Sequence, residues 1–336
     1  MKAIVQRTYG PPEVLQLTDV NRPDVADDTV LVRVRATSVH ADIWHAVAGL
    51  PYFARPAITG LRRPRHPVPG IDLAGTVEAV GSGVSRFAPG DAVFGQVAPP
   101  NKQWVNAGTF AEFAAAPEAV LARAPKNLSF EEAAGIPAPG LIALANIEQA
   151  PDLRPGDRVL VNGAGGTVGA VAIQIAKAAG AHVTGVDGPG KQEFMRSLGV
   201  DEVLDYTRTD YTAAAGRYRL IVDIPMNHPF SQARRALQSD GGYLAIGHDD
   251  FGRSGNKWLG SIPAMLSLTV RAPFTQQLPG LTTSQDMGAL MHTLADLAGA
   301  GQLTPVIART YPLAEAAAAL RYLMDGEPRG RVILTV

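Results

Sequence analysis

Apolar positions along the chain change rhythm twice. Up to about residue 125 they alternate with polar ones in short runs such as Thr29-Val-Leu-Val-Arg-Val34 and Gly75-Thr-Val-Glu-Ala-Val80. A two-residue period turns one face of a strand toward a core and the other toward water. The runs are cut by Pro67, Pro69-Gly70, Gly81, Gly83 and Pro89-Gly90-Asp91, residues whose backbones favour turns. This predicts a compact antiparallel β domain. From about residue 126 solid apolar runs alternate with stretches of helical spacing. Ser129 stands just before Glu131 and Glu132, a capping signature that predicts a helix start. Strands are predicted at Arg158–Val161, His182–Val186, Glu202–Leu204, Leu220–Ile224 and Tyr243–Ile246, with helices between most of them. Strand and helix in strict alternation imply a parallel sheet, because each strand returns through a crossover. Beyond about residue 276 the pattern gives helices from Ser284 to Ala298 and Leu313 to Met324, then a closing strand from Arg331 to Val336.

Composition narrows the classes. A chain of 336 residues, 46% of them hydrophobic, has room for two domains with large cores. A net charge of -1 gives no electrostatic case for nucleic acid or anionic lipid as a partner. The cluster Arg62-Arg63-Pro-Arg65-His66 lies in a Pro-rich loop and reads as a solvated loop. No run approaches the roughly 18 apolar residues of a membrane span. No signal-peptide pattern precedes Met1-Lys-Ala-Ile-Val5. The expectation is a cytoplasmic protein with a small-molecule substrate and neither a membrane nor a nucleic-acid partner. With no cysteine there is no disulfide, thiol nucleophile or thiolate metal site.

One stretch carries chemistry. Asn162-Gly-Ala-Gly-Gly-Thr-Val-Gly169 follows a predicted strand and opens a predicted helix, as a dinucleotide-binding loop does. Read as Ala164-x-Gly166-x-x-Gly169, it is G-x-G-x-x-G with alanine in the first place. Gly166 lets the backbone approach a pyrophosphate, and Gly169 lets the helix pack close to the strand. Gly165, Thr167 and Val168 complete the loop, and the helix N-terminus adds amide donors and partial positive charge. Asp187 ends the next strand, about 20 residues on, where a carboxylate receives ribose hydroxyls.

The chain resembles the medium-chain dehydrogenase/reductase superfamily, on its zinc-free quinone oxidoreductase side. Gly70-Ile-Asp-Leu-Ala-Gly-Thr-Val-Glu-Ala-Val-Gly81 is similar to the family's G-x-D-x-A-G-x-V-x-x-V-G block, and Phe87-Ala-Pro-Gly-Asp-Ala-Val-Phe-Gly95 to its F-x-x-G-D-x-V-F-G. Phe110–Phe113, Leu128–Ala134 and Leu198–Tyr206 fit equally well, in order and nearly end to end. The resemblance implies an α/β protein with a GroES-like β domain, residues 1–125 completed by 276–336, and a Rossmann domain with a doubly wound parallel sheet, residues 126–275. It places the active site in the cleft between them. It also implies a homodimer formed by pairing the last Rossmann strands, here Ser267-Leu-Thr-Val-Arg-Ala272.

The zinc-dependent relatives define what is missing. Their first cysteine ligand falls at His40, their histidine ligand at Ile71, and their third ligand has no counterpart near Pro137–Gly140. His40 and Asp72 could give two ligands, whereas a catalytic zinc needs three. The other histidines, His66, His182, His228, His248 and His292, lack ligand-like spacing. No zinc is expected, so NADP(H) or NAD(H) must carry the chemistry. Hydride transfer without a metal suits a quinone or the C=C of an enone or enal, since a simple ketone needs stronger polarisation.

His40, Asp42, Trp44, His45 and Tyr52 come from the segment that lines the cleft in relatives. His45 stands where zinc alcohol dehydrogenases place a proton-relay histidine; a packing or solvent-exposed histidine is the other reading. Relatives usually carry Asn at His40 and Thr at Ile142. Cofactor contacts implied by position are Tyr206, Ile224, Pro225, Gly247, His248, Phe274, Gln276 and Arg331. Arg331 falls where alcohol dehydrogenases place a pyrophosphate-binding arginine, or is a surface arginine before the last strand. Many NADPH-dependent relatives hold the 2′-phosphate with Ser-x-Arg-Asn, where this chain has Asp187-Gly-Pro-Gly-Lys191. Asp187 suits NADH and Lys191 offsets it, which predicts use of both cofactors. A zinc-independent alcohol or carbonyl oxidoreductase, and a non-catalytic NADPH-binding crystallin-like protein, stay open as alternatives.

Overall fold

The computed structural model describes residues 1–97, 106–247, 251, 257–260, 262–279, 286–325 and 328–336, apart from the side chains of 57 and 58. The chain divides into two compact units, residues 1–138 with 256–258 and 286–336, and residues 139–255 with 259–285.

The first unit begins with β1 (Lys2–Gln6) paired antiparallel with β2 (Leu15–Asp19). Its main sheet takes β3 (Thr29–Val39), β4 (Asp72–Val80), β5 (Ala92–Gln96), β6 (Phe113–Pro117) and β7 (Leu121–Arg123). Val30, Val32 and Val34 alternate inward from β3 and meet Leu73, Val77, Val93 and Leu121 in one buried cluster, so the two-residue period is realised. The short helix α1 (Ala41–Ala48) leaves directly from the end of β3 and stops at Gly49, whose φ of 63° is left-handed. The predicted cap on α2 (Phe130–Ala134) is a complete capping box between Ser129 and Glu132. This helix packs against β3, β4 and β5 and so belongs to the first unit.

After α3 (Pro137–Ile147) the second unit runs β8 (Arg158–Asn162), α4 (Thr167–Ala178), β9 (His182–Asp187), α5 (Gln192–Ser197) and β10 (Glu202–Asp205). It continues with β11 (Tyr218–Asp223), α6 (Phe230–Ala233), β12 (Leu237–Ala245) and α7 (Ile262–Arg271). The five strands are parallel in the order β10-β9-β8-β11-β12. The order reverses between β8 and β11, and the crevice outside the carboxyl ends at such a switch point is where doubly wound sheets bind ligands.

One predicted strand is not a strand. Residues 267–271 belong to α7. Leu268 and Ala272 pack against the buried cluster of Ile221, Phe230 and Tyr243, whereas Leu266 and Val270 are 59% and 62% exposed. A strand would put all four on one face. Inward and outward pairs four apart are the helical period.

The chain then returns to the first unit through α8 (Met287–Gly299), β13 (Ile307–Pro312), α9 (Ala316–Asp325) and β14 (Arg331–Thr335). β14 lies between β13, parallel, and β3, antiparallel.

Candidate functional site

In the second unit β8 ends at Asn162 and Gly163 makes the turn, with a φ of 82°. The Gly163 and Ala164 amides both donate to the Val186 carbonyl, at 2.9 and 3.1 Å. Gly166 then caps α4 in an extended conformation. A Cβ on Gly169 would lie 2.3 Å from the Gly163 carbonyl oxygen, so only glycine lets the helix approach the loop this closely. A Cβ on Gly166 would meet just the Gly163 oxygen, at 3.2 Å. The backbone there is open to a ligand, beside the first amides of α4, which have no acceptor within the helix. Ala164 is fully buried against the loop floor, and Thr167 and Val168 are half-buried.

Asp187 ends β9 and is tied into the loop. One carboxylate oxygen accepts the Gly165 amide and the other the Gly188 amide, each at 2.8 Å. Lys191 Nζ stands 3.8 Å from Asp187. The lysine side chain lies over Gly165, where an added Cβ would come within 2.5 Å of its Cδ. Tyr206, largely exposed, is held by its amide on the Asp187 carbonyl at 3.3 Å and has its ring beside Gly188. Ile224 and Pro225 abut Gly163 from the end of β11. Thus the loop, Asp187, Lys191, Tyr206, Ile224 and Pro225 are brought together. Gly247, with a φ of 83°, lies two residues beyond the end of β12, and His248 lies outside the described residues. Phe274 is 87% exposed and Gln276 is exposed as well, so neither joins this cluster. Gln277 is tied to β12, its carbonyl accepting the Tyr243 amide at 2.7 Å.

The predicted strand Leu220–Ile224 contains Asp223 but gives it no role. Asp223, fully buried at the strand's end, accepts from Asn162 Nδ2 at 2.9 Å, the Met226 amide at 2.9 Å and the Tyr243 hydroxyl at 2.7 Å. Burial pushes its carboxyl above the usual range while these donors pull it back. The signal was present, since a carboxylate closing an apolar strand next to Ile224 cannot be there for burial alone.

In the first unit the segment after β3 gathers a second polar cluster. His40 caps the start of α1 and is buried, with Nδ1 3.3 Å from Asp42 and Nε2 3.9 Å from Asp72. Asp72, fully buried on β4, accepts a short hydrogen bond of 2.5 Å from Ser38. Burial raises its carboxyl against the pull of His40 and Arg331. Arg331 corrects both expectations for it. It is buried, donates to Ser38 Oγ at 2.7 Å and stands 3.4 Å from Asp72. It is therefore an internal counter-ion, neither a surface group nor one presented to a pyrophosphate. His45 is also buried, with Nδ1 2.8 Å from the Leu50 carbonyl, so Nδ1 carries a proton and donates it. Trp44 packs edge-on against His45, with ring centroids 5.0 Å apart. Tyr52 packs on Trp258 at 5.2 Å and under the Arg55 guanidinium at 4.8 Å.

The residues present fit a nicotinamide dinucleotide better than a metal. Three glycine positions, a helix N-terminus and a pinned carboxylate make the cradle such a cofactor needs. For zinc the donors do not fit. Ile71 is fully buried and apolar where a histidine would ligate, and both His40 nitrogens face carboxylates. Among the described residues no three His, Asp or Glu side chains are grouped as a metal would need.

Residues 26–126 match the family described as alcohol dehydrogenase GroES-like domain, and residues 198–334 the one described as zinc-binding dehydrogenase. The chain is 30% identical to the chloroplast envelope quinone oxidoreductase homolog of Arabidopsis thaliana, over 99% of this chain and 98% of that one. It is 31% identical to phthioceranic/hydroxyphthioceranic acid synthase of Mycobacterium bovis, covering 98% of this chain but 15% of that much longer protein. A crystal structure of an NAD-dependent alcohol dehydrogenase superposes with a TM-score of 0.80 at 31% identity, over 100% of both chains.

Proposed function

The chain belongs to the medium-chain dehydrogenase/reductase family, in its quinone oxidoreductase-like group, and from that premise we propose that it reduces a quinone or an activated C=C without zinc. It is an NAD(P)H-dependent oxidoreductase with a GroES-like domain and a Rossmann sheet. What supports the zinc-free reading most is the donor set around His40, where Ile71 is buried and apolar and Asp72 already has Arg331 as its counter-ion.

When bound, the nicotinamide supplies the hydride. The amides at the start of α4 hold its pyrophosphate, and Gly166 lets the backbone reach it. Asp187 receives ribose hydroxyls on oxygens that two amides already fix in place. His45 is the proposed proton donor: the Leu50 carbonyl fixes its Nδ1–H, which leaves Nε2 as the nitrogen that takes up a proton from water and passes it to the reduced acceptor. Trp44 gives an apolar wall that excludes water. A cytoplasmic homodimer completes the proposal. Pairing through residues 267–272 is withdrawn as its route, because they are helical, and light scattering at micromolar concentration tests the state.

Following NADPH oxidation with quinones, enones and simple alcohols decides among the readings. Turnover is expected with quinones or enones, with well under one zinc per chain and no effect of chelation. Stoichiometric zinc whose removal abolishes turnover would overturn the mechanism. The likeness to an NAD-dependent alcohol dehydrogenase favours alcohol oxidation as the second reading, which wins if alcohols match quinones in rate. Bound cofactor without turnover would favour the crystallin-like alternative.

Cofactor choice rests on Asp187 and Lys191. At about 5 Å, repulsion between a carboxylate and a 2′-phosphate is ~1–3 kcal/mol per unit charge for effective dielectrics of roughly 20–80. The lysine beside Asp187 offsets part of this, so kcat/KM for NADH and NADPH should agree within about tenfold. Asp187→Ser would release both the Gly165 and Gly188 amides, whereas Asp187→Asn releases only one, which makes Asp187→Asn the less disruptive probe. It should shift preference toward NADPH, and Lys191→Ala toward NADH. A wild type favouring one cofactor by more than about a thousandfold contradicts the balance.

A further inference from the structure

The sheet order reverses between β8 and β11, and Asn162 and Asp223 are paired neighbours at the carboxyl ends of these two strands. They stand at the floor of the crevice where such sheets bind ligands. Asp223 Oδ1 accepts from two directions there, from Asn162 Nδ2 and from the Met226 amide, both at 2.9 Å. Asn162 Nδ2 also donates to Asn227 Oδ1 at 2.8 Å, which closes the turn on itself. Asp223 Oδ2 takes the Tyr243 hydroxyl from β12.

What this network holds is an unfavourable backbone. Met226 has a φ of 52°, a left-handed conformation that residues with a Cβ rarely adopt. Nothing in methionine's chemistry asks for it, and a backbone outlier beside a ligand crevice is a pointer to function. The turn it closes aims Ile224 and Pro225 at the phosphate loop. A Cβ added to Gly163 would stand 3.1 Å from Pro225 Cδ and 3.2 Å from Ile224 Cβ, and the Ile224 amide donates to the Asn162 carbonyl at 3.1 Å. The wall of the crevice and the loop at its mouth are therefore fixed to each other by the Asp223 carboxylate together with the Asn162 backbone and carboxamide.

We propose that Asp223 is a positioning residue for the dinucleotide, holding the Ile224–Met226 turn against the phosphate loop so that the crevice is formed before the cofactor arrives. This rests on the dinucleotide reading of the loop. Pre-organisation of this kind strengthens binding by removing the ordering that binding would otherwise require. It acts on cofactor affinity rather than on the chemistry.

The test is a set of turn variants read by fluorescence titration with NADPH and NADH and by steady-state kinetics. Asp223→Ala should weaken both cofactors at least about tenfold, raising KM for cofactor while kcat at saturation and KM for the acceptor stay within about threefold. Asp223→Asn keeps an acceptor at Oδ1 and should stay within about threefold of wild type in affinity. Met226→Gly added to Asp223→Ala frees the turn from strain and should restore most of the loss, which a carboxylate serving only the core would not allow. Should Asp223→Ala fail to fold, Met226→Val decides alone. It leaves the carboxylate and its core donors Asn162 and Tyr243 in place, disfavours positive φ strongly, and should weaken cofactor at least about tenfold in a protein that still folds cooperatively. Unchanged affinity in Met226→Val, or no recovery in the folded double variant, would overturn the proposal. A wild type that binds neither nucleotide sinks the dinucleotide reading itself, a different and distinguishable failure.

Discussion

Each unit buries one carboxylate at the heart of a polar cluster, and the two are built on opposite plans. Asp72 in the first unit is surrounded by charge: Arg331 at 3.4 Å, His40 at 3.9 Å and Asp42 beyond the histidine. Its hydrogen bonding is nevertheless unfinished. Asp72 Oδ1, His40 Nε2 and Arg331 Nε and Nη1 are buried without hydrogen-bond partners among the described residues. Asp223 in the second unit has no cation within ion-pair distance among the described residues, but receives an amide, a carboxamide and a hydroxyl. Charge balance tolerates loose geometry, because Coulomb energy falls slowly with distance. Hydrogen bonds do not, since they weaken steeply off angle. The first cluster is thus held together by charge, and the second by hydrogen bonds that keep backbone in one place.

The sharpest way to break the contrast is to remove a charge from the first cluster. Arg331→Met should leave Asp72 buried and uncompensated and cost about 3–5 kcal/mol, measured by urea unfolding. Pairing it with Asp72→Leu should recover at least half, because the buried charge goes with its partner. If the single variant is as stable as wild type, the cluster is not held by charge.

The second cluster should respond to the loss of one donor instead. Tyr243→Phe leaves Asp223 Oδ2 with the distant Tyr211 hydroxyl, 3.4 Å away, and should cost about 1–3 kcal/mol. Calorimetry showing no loss would mean that the hydroxyl merely adjoins the carboxylate.

Smallest is the effect of pH. Burial raises Asp223 above its ordinary 3.8. A raised folded value makes the acid's contribution to stability greatest below pH 3.8 and lost as pH rises through the folded value. Asp223→Asn has no such dependence at this site. Its melting temperature relative to wild type should therefore climb as pH is raised from about 4 toward neutrality. A difference flat across that range would show that the donors fully cancel the burial.

Beside these stability effects stands one on binding alone. Gly166→Val should fold, since a Cβ there meets only the Gly163 oxygen, and should lose at least about tenfold in cofactor affinity. Gly169→Val, with 2.3 Å to the same oxygen, should lose folding as well. Intact cofactor binding in Gly166→Val would show that the loop holds something else.

Much of this was legible in sequence because it is local. The phosphate loop, the box at Ser129 and each of the five parallel strands are written within a few residues of themselves. The misread cases are those where partners are remote or patterns coincide. Arg331 stands 259 residues from Asp72, and no period in the chain connects them. Residues 268 and 272 point inward in a strand and also in a helix, so only the burial of their neighbours separates the two. Asp223 was passed over because apolar periodicity marks what a strand buries in its core, not what closes its end. Tyr52 follows α1 closely in sequence, but its ring partner Trp258 lies some two hundred positions later and could not be read from that neighbourhood.

The placing of β14 gives the chain a timetable. Ser38 and Arg331 are 293 residues apart, so at about 5–20 residues per second the ribosome needs roughly 15–60 s to pass from one to the other. All five strands of the second unit emerge in that interval, and this unit has what it needs to fold. The first unit does not. Through the same interval the edge of β3 from Ala36 to Val39 lacks its final partner, and Asp72 lacks its cation. An unpaired edge is where nascent chains aggregate, so the burden of delay falls on the half of the molecule that was made first. It waits for α8, β13, α9 and β14, all of them made after the second unit's strands.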